Sequence, residues 1–256
     1  MEDIFSLNGK TAIVTGGNRG IGRGIAQGFA SMGCNLVITA RDTDKIRKTT
    51  QEIRDKYGVE VSGISADIQH EEQIQSMVEE TLNAFGRINI LVNNAGINIR
   101  KMPQEYDASE WDQVLDVNLR AAFLCSKAVY PSIKSGGGGK VINIGSMTSI
   151  FGGAKLAPYG TSKGGIVQLT RSLAVAWAQD NIQVNAILPG WIDTDLTRQA
   201  RIDLPGLNDR VLSRTPMGRW GLPTDLAGSA IFLASGASDF LTGIALPVDG
   251  GYSVFL

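Results

Sequence analysis

The sequence is poor in the residues that metal sites and hydrolytic sites most often use. Its 256 residues include one histidine, His70, and two cysteines, Cys34 and Cys125. A structural zinc site needs several clustered nitrogen or sulfur ligands, and a Ser-His-Asp triad needs a histidine beside its serine. We therefore expect no metal site and no serine-hydrolase chemistry.

The chain also lacks an excess of charge and long apolar runs. It has 24 Lys and Arg residues and 25 Asp and Glu residues, which give a formal net charge of −1. Nucleic-acid binding needs clustered basic residues, and the sequence shows no such cluster. No apolar run reaches the roughly 18 residues of a membrane span, and residues 1–10 lack the pattern of a signal peptide. We expect a cytoplasmic protein with no nucleic-acid or membrane partner.

Short β-branched runs alternate with longer segments of helical period along almost the whole chain. Most of these runs are continuously apolar, which is typical of parallel strands covered on both faces. The predicted strands are Thr11 to Thr15, Asn35 to Ala40, Val59 to Ala66, Ile88 to Val92, Lys140 to Ile144, Gln183 to Leu188 and Ile244 to Val248. The predicted helices are Ile21 to Met32, Thr43 to Tyr57, Glu71 to Phe85, Ser109 to Ile133, Pro158 to Gln179 and Thr224 to Ala234. This pattern predicts an α/β protein in which residues 1–256 form one domain.

A glycine-rich segment connects the first predicted strand to the first predicted helix. Its sequence is Thr15-Gly16-Gly17-Asn18-Arg19-Gly20-Ile21-Gly22. Glycines allow positive φ and close backbone approach, and the N–H groups at a helix start attract a pyrophosphate. The context is that of a dinucleotide-binding turn, although the spacing differs from Gly-x-Gly-x-x-Gly. A tight strand-to-helix connection is the alternative.

The residues after the second and third strands bear on the type of cofactor. The second strand ends at Ala40 and is followed by Arg41, where an NAD-binding domain usually has an acidic residue. A guanidinium can pair with a 2′-phosphate, so Arg41 and Arg19 favour NADP(H) over NAD(H). Asp42 either pairs with Arg41 or caps the next helix. Asp67 either accepts a hydrogen bond from the adenine amino group or caps the helix that follows it.

Four polar residues are candidates for catalysis. Tyr159 and Lys163 share one face of a predicted helix, a spacing that is also typical of a surface packing pair. A nearby ammonium group stabilises a phenolate, which makes Tyr159 a plausible acid and base. Ser146 follows the fifth strand, where ligands collect in a doubly wound sheet. Asn118 falls on an apolar stripe, either as a bridge between helices or as the holder of a water beside Lys163.

Together these motifs resemble the short-chain dehydrogenase/reductase family from Leu7 onward. The resemblance rests on Thr15-Gly16-x-x-x-Gly20-x-Gly22, Asp67, Asn93-Asn94-Ala95-Gly96, Asn118, Ser146, Tyr159-x-x-x-Lys163 and Pro189-Gly190. It implies a doubly wound Rossmann fold with a seven-stranded parallel sheet and a nicotinamide cofactor. It also implies that Tyr159 is the general acid and base, and that Lys163 lowers its pKa and binds the nicotinamide ribose. In the same tetrad Ser146 orients the carbonyl and Asn118 supports proton relay.

The predicted cofactor contacts come from the glycine-rich segment, the second and third strand ends and the resemblance. They are Gly16, Asn18, Arg19, Gly20, Ile21, Gly22, Arg41, Asp67, Ile68, Asn94, Ala95, Gly96, Tyr159, Lys163, Pro189, Gly190, Ile192 and Thr194. By the resemblance, Thr194 and the backbone of Ile192 meet the nicotinamide carboxamide. A helix cap is the alternative for Thr194.

Residues 193–220 are predicted to form a mobile substrate lid. From Asp195 to Trp220 this segment is expected to be polar and irregular, with Pro205, Gly206, Pro216 and Gly218 as breakers. Closer to the fourth strand, Arg100 and Lys101 add positive charge near the mouth of the site. They either receive a substrate carboxylate or form a solvated loop.

Three segments narrow the resemblance. Phe5-Ser6-Leu7-Asn8-Gly9-Lys10, the Arg100-Lys101 pair and Gly218-Arg219-Trp220-Gly221-Leu222-Pro223 resemble sugar-acid dehydrogenases of the gluconate and 2-deoxy- or ketodeoxygluconate type. Glucose dehydrogenases are similar as well. By the family resemblance, Tyr130 and the helices Ser109 to Ile133 and at Pro158 form the subunit contacts of a homotetramer.

The sequence thus predicts an oxidoreductase that transfers a hydride between NADP(H) and a secondary alcohol or ketone of a sugar or sugar acid. Arg100, Ser146 and Tyr159 are the expected substrate contacts. A 3-oxoacyl-thioester or general ketone reductase is an alternative, and the thioester enzyme should have a long apolar slot and a basic docking patch. A dinucleotide-sensing regulator is a further alternative, but it has no need for the complete tetrad.

Overall fold

One parallel sheet forms the centre of the computed structural model, which describes residues 4–256. Its seven strands are β1 (Thr11–Thr15), β2 (Asn35–Ala40), β3 (Val61–Ser65), β4 (Ile90–Asn93), β5 (Gly139–Ile144), β6 (Ile182–Pro189) and β7 (Ala245–Val248). The strand order is β3-β2-β1-β4-β5-β6-β7. From β1 the strands are added toward one edge of the sheet as far as β3, and from β4 they are added toward the other edge. The switch point therefore lies between β1 and β4, and ligands bind outside the carboxyl ends of strands at such a point. The prediction of a seven-stranded Rossmann fold is confirmed.

Helices connect the strands on both faces of this sheet. They are α1 (Gly20–Ser31), α2 (Thr43–Tyr57), α3 (Glu71–Phe85), α4 (Ala108–Leu115), α5 (Ala121–Ser135), α6 (Ala157–Trp177), α7 (Asp195–Asp203), α8 (Leu207–Arg214) and α9 (Ala227–Ala234). Within residues 4–256, none of the helices is long and apolar enough to cross a membrane.

The alternating side chains of β1 show how the two faces are covered. Val14 packs with Phe29 of α1 on one face, whereas its neighbour Ile13 packs with Met77 of α3 and Val129 of α5 on the other. Successive side chains of a strand point to opposite faces, so a strand between two helical layers has no polar face. This is why the strands could be recognised as continuous apolar runs.

The predicted helix Ser109 to Ile133 is interrupted. A π-helical turn, Asp116–Arg120, lies between α4 and α5, and the Ala121 N–H donates to the Asp116 carbonyl five residues earlier. The wider turn carries Asn118, which is buried. π-Turns of this kind occur frequently at functional sites.

The expectation that the segment from Asp195 to Trp220 is irregular is wrong. Pro205 and Gly206 separate two short helices, α7 and α8, instead of preventing them. A small apolar cluster holds the two helices together and against the residues that flank them. It contains Ala200, Leu207 and Val211, with Trp191, Leu204 and Trp220 packed on it.

Candidate active site

A cleft of about 850 Å3 opens at the carboxyl edge of the sheet. The predicted site residues that line it are Gly16, Asn18, Arg19, Gly20, Ile21, Arg41, Asp67, Ile68, Asn94, Ala95, Gly96, Ser146, Tyr159, Lys163, Pro189, Gly190, Ile192 and Thr194. Gly22, Arg100 and Asn118 lie outside this lining. The structure therefore brings residues from all six connections between the strands into one continuous space.

The turn between β1 and α1 has the backbone shape of an anion site. Gly16 and Gly20 have φ values of +64° and +52°, a region that other residues rarely adopt. Arg19 precedes α1 without a side-chain hydrogen bond that would cap the helix. The first N–H groups of α1 are thus available to an anionic ligand, and their dipole favours negative charge. This turn fits the pyrophosphate of a dinucleotide.

Asn94 fixes the end of β4 to this turn. Its Nδ2 donates to the carbonyl oxygens of Thr15 at 2.8 Å and Gly16 at 3.2 Å. The backbone N–H groups of Asn94 and Ala95 donate to Thr15 Oγ1 at 3.0 and 3.1 Å. A Cβ at Gly22 would overlap Asn94 Nδ2 and the Gly16 carbonyl oxygen. Gly22 therefore has a packing role even though it does not line the cleft.

Cationic side chains gather where β2 ends. The Arg41 side chain is 69% exposed, and its Nη1 lies 3.8 Å from Asp67 Oδ2. Asp42 caps α2, because its carboxylate accepts from the Lys45 N–H at 3.0 Å and pairs with Lys45 Nζ at 3.0 Å. These bonds lower the pKa of Asp42. Arg19, Arg41 and Lys45 all line the cleft, so its β2 end is suited to a phosphate.

Asp67 does not cap α3. Its Oδ1 accepts from the backbone N–H of Gln69 at 3.1 Å, and the Gln69 side chain also donates to it. His70 occupies the N-cap position of α3, and its side chain makes no capping hydrogen bond. The Asp67 carboxylate thus stays at the cleft, and its contact with adenine remains a prediction.

Tyr159 and Lys163 lie on one face of α6, and they are not a surface pair. The Lys163 side chain is buried, and its Nζ lies 5.8 Å from the centroid of the Tyr159 ring. Lys163 Nζ donates to the Ile144 carbonyl oxygen at 2.7 Å. Burial lowers the pKa of Lys163 to about 8. The amine is therefore held between the tyrosine and the end of β5.

Ser146 and Tyr159 both line the cleft. Burial raises the pKa of Tyr159, and the Ser146 hydroxyl and the positive charge of Arg100 oppose that rise. Ser146 Oγ also accepts from the Thr148 N–H at 3.1 Å, which fixes the serine at the start of a 3₁₀ turn. The phenol is thus protonated at neutral pH and placed to donate to a carbonyl oxygen.

Asn118 bridges two parts of the site. Its Oδ1 accepts from the Ile97 N–H at 2.8 Å, and its Nδ2 donates to the Ile97 carbonyl at 2.9 Å and to Ser162 Oγ at 3.1 Å. A Cβ at Gly96 would lie 3.2 Å from Asn118 Oδ1 and 3.6 Å from Lys163 Nζ. Asn118 therefore joins the loop after β4 to α6, as the bridging alternative predicted. Its part in proton relay remains a prediction.

The two cations after β4 have different surroundings. Lys101 Nζ pairs with Glu110 Oε1 of α4 at 2.6 Å, and this contact raises the pKa of Lys101. Within residues 4–256, the Arg100 guanidinium has neither an ion pair nor a hydrogen bond. Arg100 is half-buried, and its charge acts on Tyr159. Of the two cations, Arg100 is the one that remains available to a ligand.

Ion pairs hold the start of the segment of residues 193–220. The Asp193 carboxylate pairs with Arg198 at 2.9 Å and also with Arg201, and these contacts lower its pKa. Arg201 stacks on the Trp220 ring at 4.1 Å. Thr194 begins α7 and also lines the cleft, so both of its predicted roles remain open.

Some cleft residues were missed from the sequence. The cap of α2 by Asp42 was a signal for Lys45, because a residue three positions after a helix cap lies beside it. The others have no motif that singles them out. The missed side chains at the cleft include Thr39, Lys45, Ala66, Gln69, Ile97, Asn98, Gln113, Val117, Ile144, Asp195, Leu196 and Thr197.

Comparisons with known proteins agree with this geometry. A family model described as Enoyl-(Acyl carrier protein) reductase matches residues 16–253. A 2-dehydro-3-deoxy-D-gluconate 5-dehydrogenase of Escherichia coli (strain K12) is 41% identical over 251 residues, or 97% of each chain. A 5-keto-D-gluconate 5-reductase of the same strain is 39% identical over 254 residues, or 99% of each chain. A solved gluconate 5-dehydrogenase from Burkholderia cenocepacia J2315, in complex with NADP and tartrate, has a TM-score of 0.94 and 38% identity over 99% of each chain.

Proposed function

Because this chain belongs to the short-chain dehydrogenase/reductase family and is an oxidoreductase of CH–OH groups, we propose that its substrate is a sugar acid and its cofactor is NADP(H). The observation that carries the substrate class is the Arg100 guanidinium, which has no ion pair within residues 4–256 and whose charge acts on Tyr159. A carboxylate is the natural partner of such a cation. The names of the relatives, a ketodeoxygluconate dehydrogenase and a ketogluconate reductase, support the same class.

The cations at the end of β2 support NADP(H) over NAD(H). The Arg41 side chain is 69% exposed, and its guanidinium lies 3.8 Å from the Asp67 carboxylate. An acidic side chain at Ala40 would accept from a ribose 2′-hydroxyl, but alanine has no such group. Arg41, with Lys45 and Arg19 nearby, therefore favours the 2′-phosphate.

The tetrad residues move and hold the proton of the reaction. A bound nicotinamide supplies the hydride acceptor or donor. During reduction Tyr159 donates its phenolic proton to the substrate oxygen, and Ser146 holds that oxygen by a hydrogen bond. During alcohol oxidation Tyr159 takes the proton. The Lys163 amine lies near its ring and favours the phenolate electrostatically when it is protonated. Asn118 keeps the loop at Ile97 in place.

Residues 193–220 act as the lid over the substrate, and Leu196 and Thr197 already line the cleft.

The protein acts as a homotetramer. Large apolar side chains are exposed on the helices that the resemblance assigns to subunit contacts, with Phe123 on α5 43% exposed and Val175 on α6 83% exposed. Light scattering of the purified protein should give four times the chain mass, and a monomer mass would contradict this.

A cytoplasmic location is part of the proposal. Cys34 and Cys125 are both buried and unpaired in the described structure. Burial raises the pKa of each thiol to about 12. Disulfides are rare in reducing compartments, so two unpaired cysteines are consistent with the cytoplasm. Fractionation of producing cells would test this placement.

The test is turnover of a substrate panel. Turnover is measured as the change in nicotinamide absorbance, with NADP(H) and with NAD(H). The panel contains sugar acids, neutral sugars, small ketones and a 3-oxoacyl thioester. Turnover of sugar acids with NADP(H) is expected, and Tyr159→Phe should lose most of it while it still binds NADPH. Tyr57→Phe is the matched control, because Tyr57 ends α2 and does not line the cleft.

Each other outcome has a defined meaning. Turnover of the thioester alone would replace the substrate class by an acyl-thioester reductase. NADPH binding without any turnover would favour the regulator. Wild-type turnover by Tyr159→Phe would remove the tyrosine from its catalytic role.

A further inference from the structure

The loop between β4 and α4 is fastened at every second residue. Asn118 makes two hydrogen bonds to the backbone of Ile97, at 2.8 and 2.9 Å. The Tyr106 hydroxyl donates to the Ile99 carbonyl oxygen at 2.7 Å and accepts from the Lys101 N–H at 3.2 Å. The backbone on both sides of Arg100 is therefore held by one phenol.

The same hydroxyl reaches a second loop. It lies 3.1 Å from the carbonyl oxygen of Lys155, which comes two residues before α6 and four before Tyr159. The hydroxyl hydrogen is thus shared between Ile99 and Lys155. Tyr106 itself is half-buried and sits just before α4. Through this bond the loop that carries Arg100 is tied to the segment that leads into the catalytic helix.

The neighbouring cation, Lys101, is already engaged in an ion pair. Lys101 is paired with Glu110 at 2.6 Å, so its ammonium group is committed to α4. Glu110 also accepts from the Asp107 N–H at 3.1 Å, which holds the start of α4. Arg100 lies between two residues whose backbones are held, Ile99 and Lys101, and it has no ion pair in the described part of the chain.

We propose that Tyr106 is a positioning residue for the acid group of the substrate, because its hydroxyl sets where the Arg100 guanidinium stands relative to Tyr159. The proposal rests on the proposed function, since it assumes that Arg100 receives a substrate carboxylate. Loss of the hydroxyl leaves the Arg100 side chain intact but frees its backbone from α6. A charged hydrogen bond depends on geometry, so recognition of the acid should weaken while the chemistry at Tyr159 continues.

The test is steady-state kinetics of Tyr106→Phe with a sugar acid and with the neutral sugar alcohol of the same chain length. KM for the acid should rise about tenfold, with kcat within about twofold and KM for the neutral substrate unchanged. Tyr57→Phe is the matched control. Tyr57 ends α2, away from the cleft, and loss of its hydroxyl should change neither KM.

A double-mutant cycle shows whether Tyr106 acts through Arg100. In an Arg100→Ala background, Tyr106→Phe should give no further rise in KM for the acid. Independent effects that multiply in the double variant would overturn the proposal. An equal rise in KM for both substrates would also overturn it, because that result indicates general loosening of the site.

A separate readout distinguishes failure of this proposal from failure of the proposed substrate class. If wild-type protein turns over no sugar acid, the proposed function is wrong. The pH dependence of turnover, measured with any alcohol that the protein oxidises, then tests the positioning role of Tyr106. The groups that face Tyr159 are Ser146, Lys163 and the charge of Arg100, which lowers its pKa. Tyr106→Phe should shift the profile to higher pH, as Arg100→Ala should, and an unshifted profile overturns the positioning role.

Discussion

Replacement of Lys163 by methionine should abolish turnover and yet stabilise the protein without cofactor. Lys163 is 5% exposed, and its Nζ donates to the Ile144 carbonyl oxygen at 2.7 Å. No carboxylate pairs with it within residues 4–256. Burial without a counter-ion disfavours the charged amine and lowers its pKa from 10.5 to about 8. The folded protein therefore carries this lysine at a cost in stability.

The size of that cost follows from the pKa of Lys163. A tenfold change in proton affinity is about 1.4 kcal/mol, so the protonated amine destabilises the folded state by about 3 kcal/mol at pH values below 8. Methionine has a similar length but leaves the Ile144 carbonyl without its donor, which costs about 1 kcal/mol. Lys163→Met should thus be more stable by about 2 kcal/mol near pH 7, or roughly 4–8 °C in Tm.

The effect of pH on this difference has a definite sign. Between about pH 8 and pH 10.5 the folded protein has released the Lys163 proton while the unfolded chain still holds it. The unfolded state then binds more protons, so wild-type stability rises with pH in this window. The variant has no amine and lacks this rise. Its advantage is complete below pH 8 and shrinks as the pH increases through the window.

Unfolding by urea, without cofactor, at about pH 7 and about pH 9.5 measures the difference. Lys155→Met is the control for loss of one positive charge, because Lys155 is exposed and lies outside the cleft. If the Lys163→Met variant is less stable than wild type near pH 7, the reasoning is refuted. A stability difference that is the same at both pH values would refute it as well.

Three further substitutions test the cleft and the residues packed around it. Arg41→Ala should weaken NADPH binding by about tenfold or more in a fluorescence titration and leave NADH binding within about twofold; equal weakening would contradict the 2′-phosphate contact. Gly22→Ala should destabilise the protein by about 1–3 kcal/mol in urea unfolding, because its Cβ would overlap Asn94; an unchanged midpoint would contradict this. Asp193→Asn should speed tryptic cleavage within residues 195–220 about threefold or more, and unchanged protection would argue against the ion-pair anchor.

The two helices whose bounds were predicted to the residue carry their end signals in the sequence. Asp42 caps α2 with a side-chain hydrogen bond to Lys45, and Gly58 ends that helix in the left-handed region. Gly86 ends α3 in the same way. Capping residues and left-handed glycines are local features, so the sequence alone locates them. The strands were recognisable because both faces of the sheet are covered.

The helices of the lid segment carry fewer such local signals, because Thr194 is the N-cap residue of α7 but no left-handed glycine ends either helix. α7 and α8 have nine and eight residues, which is too short for stability in isolation. They are held by packing of Ala200 and Val211 against Trp191 and Trp220, residues that lie outside both helices. Tertiary contacts of this kind cannot be found from periodicity in a short polar segment, which is why an irregular segment was predicted.

The substrate end of the site shows a similar limit on sequence reasoning. Arg100 and Lys101 are adjacent and carry the same charge, so the sequence could not decide between a carboxylate receptor and a solvated loop. Glu110 of α4 pairs with Lys101, whereas Arg100 has no ion pair among the residues that the structure describes. Tyr106 then fixes the backbone around the unpaired cation. On the proposal that Arg100 receives a substrate carboxylate, the specificity of this end depends on Glu110 and Tyr106, which no motif around the cation reveals.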